Sequence, residues 1–90
     1  DLTIEFLWEL FLKQNRQCAL SGLPLKFSSL NSRKNGNEQT ASLDRIDSSL
    51  PYAEGNVWWV HKDVNRMKNC FTQERFVEIC TQVVAKRAKQ

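Results

Sequence analysis

Residues 41–68, ASLDRIDSSLPYAEGNVWWVHKDVNRMK, constrain the fold most, because three local patterns succeed one another there with little room between them. ASLDRID alternates as a strand does, with Ala41, Leu43 and Arg45 on one side and Ser42, Asp44 and Ile46 on the other. SSLPYAEG breaks that pattern: Pro51 removes a backbone donor and Gly55 permits the angles of a tight turn. Residues 56–60 are aromatic and β-branched and suit a second, paired strand, and from His61 the spacing turns helical. His61 and Asn65 lie four apart and share a helix face. Val64 and Met67 are expected to pack inward, and Lys62, Arg66 and Lys68 to face water or an anion. The expected unit is a strand, a turn, a strand and a helix that bring Asp44, His61 and Asn65 to one point.

Such a hairpin and helix can hold one divalent cation. Carboxylate and amide oxygens with retained waters suit magnesium or manganese, and an imidazole in the set tilts the choice toward zinc or nickel. The stretch resembles the HNH, or ββα-metal, endonucleases. Their pattern is an Asp-His pair on the first strand, an Asn opening the second, and a His or Asn on the helix followed three residues later by Lys. Asp44 stands at the metal-binding Asp, Asn56 at the middle Asn, Asn65 at the last ligand and Lys68 at the trailing Lys. His61 falls where the nuclease colicins carry a further metal-binding His. The resemblance implies a metal-dependent DNA endonuclease that hydrolyses phosphodiester bonds, with Asp44, Asn65 and His61 as metal ligands and Asn56 as the residue that locks the loop. Double-stranded DNA would be held by Arg45, Lys62, Arg66 and Lys68, with Arg33 and Lys34 reaching from the polar stretch 28–40. Nicking and double-strand cleavage both remain open.

The chain departs from the family at its general base. That position, directly after the metal-binding Asp, is Arg45, which stays protonated and cannot take a proton from water. His61, the chain's one histidine, is of the residue type best suited to act as a general base but cannot readily both ligate and act as base. Asp47 and a metal-bound hydroxide are the other candidates. The alternative function is a catalytically degenerate HNH-fold module that binds DNA without cutting it, and a third reading is a protein-interaction domain.

Around this unit the chain reads as one α+β domain. A helix is expected over 3–16, capped by Thr3, then a knuckle at 18–27 with Ser21-Gly22 at its turn, and the polar loop. A final helix starts at Thr72, with Phe76, Ile79, Cys80, Val83 and Val84 as its buried face. The parts are thus 1–17, 18–40, 41–69 and 70–90. With no Met at its start, the chain reads as a domain excised from a larger protein, and other domains or a second copy are its expected partners.

Ninety residues with 41% apolar and 26% charged side chains suit a globular chain, and a net charge of +3 permits nucleic-acid binding without demanding it. No apolar run approaches a membrane span. Three widely spaced cysteines, Cys18, Cys70 and Cys80, argue for a reducing compartment, hence a cytoplasmic setting, and the resemblance to HNH nucleases implies one of bacterial or phage type. Many HNH domains hold a structural zinc with two Cys-x-x-Cys pairs. Here Ser21 stands at the second position of the first pair, and His61 and Val64 stand at those of the second. Four ligands are not present, so no structural zinc is expected.

Overall fold

The computed structural model describes residues 1–28 and 39–89. It is a small α+β arrangement of two antiparallel strands and three helices, in the order α1 (Ile4–Lys13), β1 (Ala41–Arg45), β2 (Val57–His61), α2 (Lys62–Lys68) and α3 (Gln73–Ala88). Arg33 and Lys34 lie outside the described residues. Among the described residues no helix is long and apolar enough to cross a membrane.

Helix α1 begins where Thr3, in extended backbone, accepts the Phe6 N–H on its hydroxyl at 3.0 Å, and it carries Glu5 in its first turn and Lys13 in its last. It ends earlier than residue 16, because Asn15 and Arg16 take the left-handed angles φ 56° and 59° and turn the chain. Gln14, at that turn, uses its side-chain amide as a piece of strand. It accepts the Trp59 N–H and donates to the Trp59 carbonyl, each at 2.9 Å, and so occupies part of the open edge of β2. The knuckle follows: Cys18 N–H donates to Leu23 O at 2.8 Å, and Gly22 makes the turn at φ 76°.

The two strands pair with Asp44 opposite Trp58, Leu43 opposite Trp59 and Ala41 opposite His61. Residues directly opposite share a face. One face, with Trp59 and Leu43, meets α1: the Trp59 indole donates to Leu7 O at 2.8 Å and its ring stands edge-on to Phe11 and Phe27. The other face, with Ser42, Asp44, Trp58 and Val60, meets α2. The core runs through both layers, from Phe11 and Trp59 to Val60, Val64 and Phe76.

Two expectations about packing are corrected. Met67 does not pack inward; it is 61% exposed, because Val64 and Lys68, one turn apart, take the inward places on α2. On α3, Thr72 caps the helix as expected, accepting Arg75 N–H at 3.1 Å, and Phe76 is buried. Val83 and Val84 are 55% and 66% exposed, and every described residue of α3 beyond Cys80 is exposed with them, Thr81, Val84 and Ala85 on the wall of an open groove shared with Leu20 and Val64.

Candidate active-site cleft

Asp44 sits on β1 with its side chain turned toward α2, where the alternation of the strand places it. Its Oδ2 accepts the Lys68 ammonium at 2.9 Å and the Trp58 indole N–H at 2.8 Å. Lys68 also donates to Arg45 O at 3.1 Å. Asp44 is 6% exposed and Lys68 is not exposed at all. This corrects the expectation that Lys68 faces water or a duplex. A buried ammonium is tolerable when a carboxylate and a carbonyl take its protons, and that is the arrangement here. Lys68 is therefore a buried partner of Asp44, out of reach of an external phosphate.

Asn65 lies one turn before Asn69 on the same side of α2. Its Nδ2 donates to Ser42 Oγ at 2.7 Å and toward Leu43 O at 3.4 Å, which fixes the amide and leaves Oδ1 as its unused acceptor. Asp44 and Asn65 both line an open cleft of about 510 Å³, with Arg45, Tyr52, Lys62 and Arg66 around them. Among the described residues Asp44 Oδ1 accepts no hydrogen bond, and Asp44 is among the residues that line the cleft. Asp44 and Asn65 each carry an oxygen of the hard type that magnesium or manganese takes, and both residues line this one cleft.

His61 is not brought to this point. It pairs with Ala41, three rungs along the hairpin from the Asp44–Trp58 pair and on the opposite face, and it does not line the cleft. Its Nδ1 accepts the Asp63 N–H at 3.1 Å, so it works as the N-cap of α2. The physical reason is register: with side chains alternating along a strand, an odd step from Trp58 to His61 changes faces. The set of Asp44, His61 and Asn65 is thereby reduced to Asp44 and Asn65. Among the described residues no three His, Cys, Asp or Glu side chains cluster.

Arg45 and the loop after it shape the far wall. The Arg45 guanidinium donates to Leu50 O at 3.2 Å and its Cζ lies 5.0 Å from the centre of the Tyr52 ring. Asn56 ties the loop to itself. Its Oδ1 accepts Asp47 N–H at 2.9 Å, while its Nδ2 donates to Pro51 O at 2.9 Å and to Asp47 O at 3.1 Å. Asp47 is exposed and faces away from Asp44's partners. Its carboxyl is held below its ordinary pKa by hydrogen bonds from the Ser49 hydroxyl and then the Ser49 N–H. Lys62 and Arg66 stand on the α2 side, Arg66 with Asp63 at 3.9 Å.

The cysteines are separate thiols. Burial pushes the Cys18 thiol up, and hydrogen bonds from Ser21, from the His61 backbone and from Leu20 outweigh it, for a net lowering.

The sequence points to Trp58, with Trp59, as a brace of the hairpin first and a base-stacking ring second, and it gives Tyr52 no role. Trp58 was readable, since it stands opposite Asp44 once the strands are paired about the turn. Tyr52 lies in an irregular loop, where no period places a side chain. No protein-family model matches the chain, and no curated protein matches it.

Proposed function

We propose that the chain is a metal-dependent DNA endonuclease of the HNH, ββα-metal, kind. The observation that carries this reading is the cleft itself: an aspartate from a strand and an asparagine from a helix line one groove bordered by Arg45, Lys62 and Arg66. Asp44 and Asn65 would hold a magnesium or manganese ion, with water completing its shell. Bound there, the cation supplies neutralisation of the negative charge that grows on a phosphodiester under attack.

The chain's own residues do the rest. Arg45 is planar, permanently charged and pre-positioned by Leu50 O and Tyr52, which suits it to grip a phosphate through paired donors. Lys62 and Arg66 extend that grip along the backbone, an affinity that carries little sequence information. Lys68 and Trp58 both donate to Asp44 Oδ2 and hold the carboxyl group in place, which leaves Oδ1 as the oxygen a cation would take. Hydrolysis forms a bond from water oxygen to phosphorus and breaks the bond to the 3′ oxygen, leaving a 5′-phosphate and a 3′-hydroxyl. His61 takes no part in this account.

A second reading rests on the Asp44–Lys68 pair. The ammonium already answers the charge of Asp44, and Arg45 replaces the family's base, which together favour a DNA-binding module without cleavage. Product-end analysis of a labelled strand, unpaired and as a duplex, separates the two. Cleavage giving 5′-phosphate ends with Mg²⁺ or Mn²⁺, and none in EDTA, supports the nuclease; binding unchanged by EDTA with no cleavage under either metal overturns it.

A further inference from the structure

We infer that the cleft receives an unpaired base, stacked on Tyr52, beside the phosphate held by its cations. The inference rests on the DNA reading above and narrows its substrate to single-stranded or locally opened DNA. Tyr52 is 55% exposed, yet it is not a loose surface ring. Arg45 lies over it at 5.0 Å, and its neighbours are anchored: Pro51 O accepts from Asn56, Leu50 O from Arg45 and Asn56, and Ser48 donates to Cys70 O. The ring is held in place with much of its surface bare, which is how a stacking platform avoids an ordering cost on binding.

Its position supplies the second argument. Tyr52 lines the same cleft as Arg45, Lys62 and Arg66, so an aromatic face and phosphate-binding cations meet within one 510 Å³ space. A nucleotide presents the complementary pair, a π-face and an adjoining phosphate. A base stacked inside an intact duplex has no free face to offer, whereas an unpaired one does. Leu50, 50% exposed beside Tyr52, extends the apolar surface at the loop tip.

The test uses the whole chain in EDTA, where binding is read without cleavage. A single-stranded oligonucleotide carrying 2-aminopurine, and the same sequence as a blunt duplex, are titrated with the wild type, Tyr52→Ala and Tyr52→Phe, each checked for folding by circular dichroism. The expected result is tighter binding of the single strand with quenching of its fluorescence. Tyr52→Phe should keep both, and Tyr52→Ala should lose roughly tenfold in single-strand affinity, the scale of one base–aromatic stack, with a clearly smaller loss for the duplex, where only the support of Arg45 is removed. Equal binding of the two forms, loss of single-strand binding in Tyr52→Phe, or full single-strand binding and quenching in Tyr52→Ala would overturn the inference. Stacking in a chain that never cleaves would sink the nuclease reading alone; cleavage by a chain indifferent to Tyr52 would sink this one alone.

Discussion

Asp44 carries two hydrogen bonds on one oxygen, and that arrangement decides how it can be tested. Replacing it with alanine strands the Lys68 ammonium in the interior, and breaking a buried pair from one side costs about 3–5 kcal/mol. Asp44→Ala should therefore show a large drop in urea stability, and lost activity in that variant would say nothing of chemistry. Asp44→Asn keeps an acceptor for both Lys68 and Trp58, and should lose much less. Asn56 offers a contrasting case. Its alanine variant should lose about 1–2 kcal/mol, as half-buried loop groups lose their partners. Asp47 adds an acid limb. Its folded pKa is depressed, so its contribution is full above the ordinary carboxyl value and is lost as pH falls through the lower folded one. Ser49→Ala should flatten that limb in stability measured against pH. Of these residues, Asp44, Asn56 and Asn65 were legible because strand and helix periods place them. Burial of Lys68 was not, since a lysine near a helix end reads as solvated until a carboxylate is known to face it.

Helices and strands were legible where period and cap agreed. Thr3 and Thr72 start their helices, Gly55 marks the turn at φ 87°, and the hairpin follows from the change of period at His61. Errors arose where an element's length or facing depends on its neighbours. The left-handed pair Asn15 and Arg16 ends α1 early, a choice enforced by the knuckle that follows it. His61 was placed by helix spacing alone, but as the last residue of β2 it obeys the strand's alternation and changes face. His61→Ala should consequently weaken α2 by about 1 kcal/mol through its cap and leave DNA affinity unchanged, which thermal melts and anisotropy titrations would check. On α3 the apolar stripe continues past the point where anything covers it. Phe76→Ala should cost about 3–5 kcal/mol, whereas Val84→Ser should change stability by less than about 0.5 kcal/mol.

Across the whole molecule the charge is modest, at +3, so on the proposed function affinity for DNA would come from where cations gather rather than from their number. They gather at the cleft, in Arg45, Lys62 and Arg66. Lys62→Ala and Arg66→Ala should each weaken binding to all sequences alike and lower the slope of affinity against salt by about one, while Lys68 variants should act through stability instead. The two-strand sheet, with α1 on one face and α2 on the other, brings Asp44 of the strand and Asn65 of the helix to the lining of that same cleft, where the proposed metal would sit. Nicking of supercoiled plasmid by the wild type and by Asp44→Asn, with magnesium, manganese or EDTA and with folding verified, tests that claim most directly. Nicked circles that require either metal and disappear in folded Asp44→Asn are the predicted result. Undiminished nicking in that variant, or intact DNA binding with no nicking under either metal, would contradict it.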